Sequence, residues 1–180
     1  HAKLFDGLRK WVLSDLTNLG VDMIADGITA ANIRAMRKKM KRSGLRPRDM
    51  LIVAGVNGYN DIVGLEETLT ADKVGPNAAR ILTGEAPQIF GIPIVVSSEV
   101  REDLNASGVY DGSTTDKGSL LMIHRPSFLV GVKRGFTVET EVDKKKQVNS
   151  VIASFRRDLK PMETVSATIP TAVMGYAHTA

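Results

Sequence analysis

The spacing of hydrophobic residues predicts one well-defined helix in the first third of this sequence. An apolar stripe with helical spacing follows Thr29, and its members are Ile33, Met36 and Met40. Thr29 is a suitable N-cap residue, and Ile28 stands where a hydrophobic staple would begin. Gly44 is placed to end the helix in a left-handed conformation. The pattern predicts a helix of about 14 residues with a narrow buried stripe.

Shorter apolar runs and weaker helical patterns complete the predicted elements. A helix is predicted over residues 2–16, and another over residues 59–68 after a turn at Asn57-Gly58. Continuous apolar runs predict buried strands at 50–56, 93–97 and 120–124. A further extended run is predicted near the end, at 164–169. Together these elements predict an α+β fold with short strands and long loops.

A strictly alternating pattern near residue 140 predicts a long β-hairpin. Phe136, Val138, Thr140 and Val142 alternate there with Thr137, Glu139, Glu141 and Asp143. The second strand is predicted over residues 148–155, and a charged tip joins the two strands. We therefore expect one apolar and one charged face. A projecting hairpin of this kind is marginally stable alone and needs a partner surface.

The composition is that of an ordinary globular protein with an aliphatic core. Hydrophobic residues make up 43% of the 180 residues but aromatic residues only 5%, so aliphatic side chains must fill the core. Cysteine is absent, which excludes disulfides, thiolate metal sites and a cysteine nucleophile. The sequence also predicts neither a membrane span nor a signal peptide.

No pattern of polar residues predicts a catalytic, cofactor-binding or metal site. The histidines, His1, His124 and His178, lack the spacing of metal ligands. Asp111 and Asp116 lie in a Gly-rich loop whose spacing does not match a calcium-binding loop. Phosphate-binding glycine motifs and a nucleophile elbow are also absent from the sequence. We therefore expect a protein that is not an enzyme and binds no cofactor.

The strongest charge feature is a basic stretch over residues 34–48, called the basic segment below. It holds eight of the 24 Lys and Arg residues and no acidic residue, while the remaining chain has 16 basic and 20 acidic residues. Three interpretations are open: a contact between subunits, a solvated face and a nucleic-acid contact. The subunit contact is favoured, and its candidate residues are Arg34, Arg37, Lys38, Lys41, Arg42, Lys144, Lys145 and Lys146.

Several segments, taken in order, resemble the major capsid proteins of tailed bacteriophages, which have the Hong Kong ninety-seven type capsid fold. The segments are Phe5-Asp6-Gly7-Leu8, Thr29 to Gly44, Met50-Leu51-Ile52-Val53 with Gly58-Tyr59, Leu82-Thr83-Gly84-Glu85, Gly91-Ile92-Pro93-Ile94-Val95, Leu121-Met122-Ile123-His124-Arg125, Phe128-Leu129-Val130-Gly131 and Phe155-Arg156-Arg157-Asp158. Each motif is short, and their order along most of the chain carries the resemblance.

The resemblance implies a subunit with an axial and a peripheral lobe. It assigns residues 1–48 to the peripheral domain with its spine helix, 49–127 to the axial domain, 128–160 to the peripheral-domain hairpin and 161–180 to a return to the axial domain. It also implies a structural protein that assembles with its own copies, as hexamers and pentamers, into an icosahedral phage head. Scaffold and portal proteins are further expected partners, and packaged DNA is contacted only indirectly. The expected location is the virion, after assembly in the host cytoplasm, with no membrane partner.

The resemblance also implies a missing N-terminal segment, and two alternative functions remain beside the phage capsid. The family's N-terminal arm and extended loop would precede residue 1, so we expect an N-terminally truncated member. One alternative is an encapsulin-type shell, which shares the fold but encloses protein cargo. The other is a nucleic-acid-binding module that uses residues 34–48, which would bind DNA with a steep salt dependence.

Overall fold

A computed structural model describes residues 2–65, 88–113, 116–143, 148–163 and 165–179. Its helices and strands, in chain order, are α1 (Ala2–Leu13), α2 (Leu16–Leu19), β1 (Gly20–Asp22), α3 (Ala30–Lys39), β2 (Met50–Ala54), α4 (Val56–Val63), β3 (Gln88–Ile89), β4 (Ile92–Val96), β5 (Lys117–His124), β6 (Phe128–Asp143), β7 (Val148–Pro161) and β8 (Ala172–Thr179). The predicted α+β class is confirmed.

The chain divides into two compact units. The sheet unit comprises His1–Pro126 and Glu163–Ala180, and the hairpin unit comprises Ser127–Met162. The helix predicted as a peripheral spine, α3, belongs to the sheet unit. The four-part axial and peripheral assignment stays a prediction, because those names refer to positions in an assembled shell.

The sheet unit is built on a mixed six-stranded sheet with the order β1-β8-β5-β2-β4-β3. β8 pairs in parallel with β1 and antiparallel with β5. β2 pairs antiparallel with β5 and in parallel with β4. β3 and β4 form a tight hairpin whose two turn residues, Phe90 and Gly91, both have positive φ angles of 51° and 75°. Two such residues in succession are typical of a type I′ turn.

Methionine and aliphatic side chains fill the core of the sheet unit, as the low aromatic content predicts. The fully buried methionines are Met23, Met36, Met40, Met50, Met122 and Met174. Helix α3 packs on β8, and Gly175 permits the close approach. A Cβ atom at Gly175 would lie 2.3 Å from Cε of Met23 and 3.1 Å from Sδ of Met36. A side chain there would force these flexible methionines to move.

The start of α3 follows the prediction, but its end does not. Oγ1 of Thr29 accepts a hydrogen bond from the backbone amide of Asn32 at 3.1 Å, as an N-cap should. The helix ends at Lys39, and a 3₁₀ turn covers Lys41–Gly44. The left-handed residue is Lys41, with a φ of 48°, so the prediction for Gly44 is wrong. Gly44 instead allows a close approach, since its Cβ would lie 2.7 Å from the Arg37 carbonyl oxygen.

Two further predictions are wrong because long-range contacts decide the local structure. Asn57 and Gly58 lie in the first helical turn of α4 and do not form the predicted reverse turn before a helix. Glu102, from a distant loop, caps that helix. The strand near the end is β8 at 172–179, where backbone pairing with β1 and β5 orders a small-residue sequence. The described residues 165–169 lie outside the strands.

The hairpin unit confirms the predicted ribbon and extends both strands at the end away from the tip. β6 and β7 pair antiparallel from Phe128 opposite Pro161 to Asp143 opposite Val148. Two bulges interrupt β6, between Val132 and Arg134 and between Arg134 and Thr137. Each bulge adds one residue to β6 relative to β7, so the first exchanges the two faces and the second restores them.

Candidate intersubunit surfaces

The hairpin carries an exposed apolar face, as its alternating pattern predicts. Cross-strand partners share a face, so the pairing of Val138 with Ala153 and of Thr140 with Val151 defines it. The large exposed hydrophobic residues on this face, which we call the ribbon face, are Val130, Val132, Phe136, Val138, Val151 and Phe155. The opposite face is mainly polar, with Glu139 opposite Ile152 and Glu141 opposite Ser150. An exposed apolar area of this kind marks an interaction surface.

Three of the predicted cations in the basic segment face solvent. Arg34 and Lys38 are four residues apart on α3 and therefore lie on one side of the helix. Arg42 follows in the 3₁₀ turn, and all three side chains are exposed. The guanidinium carbon of Arg34 lies 5.9 Å from the centre of the Phe90 ring, in a cation–π arrangement. These side chains are available for an intermolecular contact.

Two other predicted cations are held by contacts within the chain. Nε and Nη2 of Arg37 donate hydrogen bonds to the carbonyl oxygens of Gly44 at 2.9 Å and Leu45 at 3.4 Å. Nζ of Lys41 donates to the carbonyl oxygen of Ala167 at 2.6 Å. Arg37 and Lys41 therefore brace the fold. The remaining predicted residues, Lys144, Lys145 and Lys146, lie outside the described residues.

The polar residues of the sheet unit form no constellation suited to catalysis in the described ranges. The closest approach to one is His178, which is fully buried, with Nδ1 4.0 Å from Oδ2 of Asp61. Partial burial raises the pKa of the Asp61 carboxyl above its usual value, His178 opposes that rise, and the Glu102 carboxylate adds to it. Among the described residues, no group of three His, Asp or Glu side chains could hold a metal ion. No described helix is long and apolar enough to cross a bilayer.

Comparisons with known proteins identify the fold. No model of a known protein family matches the chain. The major capsid protein of Escherichia phage T5 is 25% identical over 157 residues, which cover 86% of this chain and 32% of that protein. A solved structure from Mycobacterium phage Che8 matches 95% of this chain and 58% of its own, with a TM-score of 0.61 and 15% identity. The asymmetric unit of the bacteriophage PhiM1 mature capsid matches 96% of this chain and 60% of its own, with a TM-score of 0.58 and 13% identity.

The chain has the major capsid protein fold of the Hong Kong ninety-seven type. The resemblance predicted from the short motifs is thereby confirmed. The chain spans about a third of the length of the T5 capsid protein and little more than half of the two solved phage proteins.

Sequence reasoning missed two exposed apolar residues, one within the basic segment and one that contacts it. Leu45 is 72% exposed, and Phe90 occupies the β3–β4 turn with a positive φ. Leu45 lines a groove together with residues 46–49, Gln88 and Gly91. One signal was available for Leu45, because it is an isolated aliphatic residue within the Gly-Leu-Arg-Pro-Arg stretch. Nothing local pointed to Phe90, which faces Arg34 only in the folded chain.

Proposed function

We propose that this chain is the core of a structural subunit that assembles with its own copies into an icosahedral phage head. One observation carries the proposal: the sequence similarity to the T5 major capsid protein extends over 86% of this chain. The capsid fold and the exposed ribbon face support the same function, since a subunit that tiles a shell needs surfaces that fit its neighbours. Its role is to bury surface against other subunits, not to catalyse a reaction.

The two compact units suggest how the work is divided in this proposal. The sheet unit supplies one lobe and the hairpin unit the other, and α3 goes with the sheet rather than with the hairpin. The main difference from the four-part assignment is the place of residues 1–48; the hairpin boundaries differ by only one residue at one end and two at the other. The axial identity of residues 49–127 and 161–180 and the peripheral identity of residues 128–160 are retained.

The partners follow from the same proposal. Copies of the chain, arranged as hexamers and pentamers in the whole protein, are the principal partners, and many weak contacts would act together in the shell. Arg34, Lys38 and Arg42 are proposed as intersubunit contacts because their side chains are exposed. Scaffold and portal proteins are proposed for assembly in the host cytoplasm. Packaged DNA is proposed to lie inside the virion, without a dedicated binding site on this chain.

The test uses the longest reading frame that contains this chain. Expressed as the whole protein, it should yield closed shells in cryo-electron microscopy. A variant with Phe136→Asp and Phe155→Asp on the ribbon face should yield no shells, because two buried charges would oppose the interface. Ser150→Asp, on the opposite face, is the matched control and should assemble. Absence of shells from the unmodified protein would overturn the proposal, and shells that enclose a host protein instead of DNA would favour an encapsulin-type compartment.

A further inference from the structure

The two ends of α3 carry opposite charge in the sheet unit. The segment that follows its C-terminus presents three exposed arginines, Arg42, Arg46 and Arg48. The region around its N-terminus presents two exposed carboxylates, Asp26 and Asp61. The helix has ten residues, so about 15 Å of helix separates the two ends. The unit is therefore electrically polar along one direction.

The basic end also presents an aliphatic side chain in a fixed position. Leu45 is 72% exposed, and arginines flank it on both sides in the sequence. Its backbone is held, because Arg37 donates hydrogen bonds to the carbonyl oxygens of Gly44 and Leu45. Pro47 begins the next turn and restricts the chain further. We call Leu45 and its flanking arginines the basic knob. The backbone of the knob therefore loses little conformational entropy on binding.

The acidic end contains a groove of complementary character. Its lining residues are Asp26, Gly27, Ile28, Thr29, Asn60, Asp61, Gly64 and Leu65. Ile28 and Leu65, only 7% and 8% exposed, lie at its floor, and the exposed Asp26 and Asp61 provide negative charge. A Cβ atom at Gly27 would meet nothing within 4 Å, so the groove is open on that side. With a volume of about 530 Å³, this acidic groove is large enough to admit an aliphatic side chain with its neighbours.

We propose that the basic knob of one copy docks into the acidic groove of the next copy, head to tail. This inference rests on the proposed function, since it names the surfaces through which copies meet. Leu45 would be the apolar anchor, and Arg46 and Arg48 would face Asp26 and Asp61. Such a contact uses two different patches on each subunit, and its repetition forms a ring where the rotation between copies closes. The charges set the orientation and exclude a knob-to-knob contact.

The exposed leucine favours a second copy over a nucleic acid as the occupant. A phosphate backbone would use the arginines but would gain nothing from an aliphatic side chain at the centre of the cluster. The groove, by contrast, offers carboxylates for the arginines and, for Leu45, a floor that includes the accessible edges of Ile28 and Leu65. Nucleic acid binding at the knob is therefore the alternative outcome that the experiment must detect.

The cysteine-free sequence makes the contact directly measurable. The 180-residue chain is prepared as two single variants, Leu45→Cys and Asn60→Cys, which are mixed at high concentration and oxidised. The mixture should form a disulfide-linked dimer at least about tenfold faster than either variant alone, because only the mixture places one thiol in the knob and one in the groove. Ser107→Cys, in an exposed loop of the same unit, is the matched control and should not cross-link above background. Rapid dimerisation of Leu45→Cys alone would overturn the head-to-tail arrangement.

Charge reversal provides an independent check on the same pair of surfaces. Arg46→Glu with Arg48→Glu reverses the knob, and Asp26→Lys with Asp61→Lys reverses the groove. When the two cysteine variants both carry the reversed knob, or both carry the reversed groove, cross-linking should fall at least about tenfold. When both variants carry the reversed knob and the reversed groove together, cross-linking should recover. Asp26→Lys alone serves as a second groove variant, because Asp61 lies beside buried His178. Cross-linking that is unaffected by every charge reversal would overturn the inference. The inference would also be overturned if the cysteine variants form no cross-link while the parent chain binds a short DNA duplex and the reversed knob abolishes that binding. Cross-linking of the chain without shells from the whole protein would count against the proposed function alone.

Discussion

Oε1 of Glu102 accepts a hydrogen bond from the backbone amide of Asn57 at 2.8 Å, although 45 residues separate them. The same oxygen accepts from the amide of Gly58 at 3.3 Å. These amides belong to the first turn of α4, whose N-cap residue, Gly55, has no side chain to bind them. The loop that follows β4 in the sequence therefore supplies the cap that the helix itself lacks.

Replacing Glu102 by Ala should destabilise the protein by about 0.5–2 kcal/mol, the range found for lost helix caps. Glu102→Gln should cost less, because its amide oxygen still accepts a hydrogen bond. The measurement is urea unfolding followed by circular dichroism. Glu99→Ala, in the same stretch of chain, is the control and should stay within about 0.5 kcal/mol. Equal losses for Ala and Gln at position 102 would contradict the capping role.

Replacing Gly55 by Ala should be destabilising because of the same carboxylate. A Cβ atom at Gly55 would lie 2.2 Å from Oε1 of Glu102, so the cap would have to move. The cost should shrink when Glu102→Ala is also present, since nothing then occupies that space. A double-mutant cycle by urea unfolding should give an interaction energy of about 0.5–3 kcal/mol. Simple additivity of the two changes would show that the contact has no energetic weight.

Replacing Thr29 by Ala should destabilise the sheet unit by about 1 kcal/mol, because the amide of Asn32 loses its acceptor. Thr29→Ser keeps the hydroxyl and should retain most of the stability. Thr17→Ala, at an exposed position of α2, is the matched control. Thermal and urea unfolding measure all three variants, and a Ser variant as unstable as the Ala variant would count against the cap.

The raised pKa of Asp61 predicts a pH-dependent effect of Asp61→Asn. Partial burial, aided by Glu102, favours the neutral carboxyl in the folded state, while His178 opposes this. Such a group contributes stability below its usual pKa of 3.8 and loses that contribution as the pH rises through its folded-state pKa. Relative to the parent, Asp61→Asn should therefore gain stability as the pH rises from 3.8 through that window. Urea unfolding at several pH values measures this, with Glu99→Gln as control, and a gain that grows toward acid pH would contradict it.

Replacing Phe136 by Ser should change association rather than stability. Phe136 is 73% exposed in the chain, so its loss should shift the free energy of unfolding by no more than about 0.5 kcal/mol. Self-association, measured by sedimentation velocity over a concentration series, should weaken because the ribbon face loses its most exposed aromatic side chain. Thr140→Ser is the control on the same face. A large stability loss without any change in association would show that Phe136 packs within its own chain.

Local sequence signals were sufficient for the elements whose stabilising contacts are also local. Thr29 and its apolar stripe predicted the start and the buried face of α3, and the alternation around Val138 predicted the hairpin. The start of α4 depends on Glu102, and the place of β8 depends on pairing with strands far away in the chain. Neither could be predicted from neighbouring residues, because the deciding partners lie dozens of positions away.

The candidate surfaces were predictable to the extent that they depend on charge. The density of cations over residues 34–48 predicted an interaction surface, and the exposed Arg34 and Lys38 fit that hypothesis. The sequence could not separate them from Arg37 and Lys41, because the distinction depends on carbonyl oxygens that lie nearby only in the folded chain. The acidic groove was also invisible, since Asp26 and Asp61 come from distant segments.

The paired bulges of β6 impose a rule of parity on the hairpin. Between Val132 and Thr137, every residue added or removed turns the outer half of the strand over relative to its base. Insertion or deletion of one residue would place Glu139 and Glu141 on the face where Val138 now lies. The apolar residues would then lie on one face near the base of the hairpin and on the opposite face near its tip. Insertion or deletion of two residues would keep the apolar residues on the same face along the whole hairpin. Length variation in this stretch is therefore tolerable only in even steps.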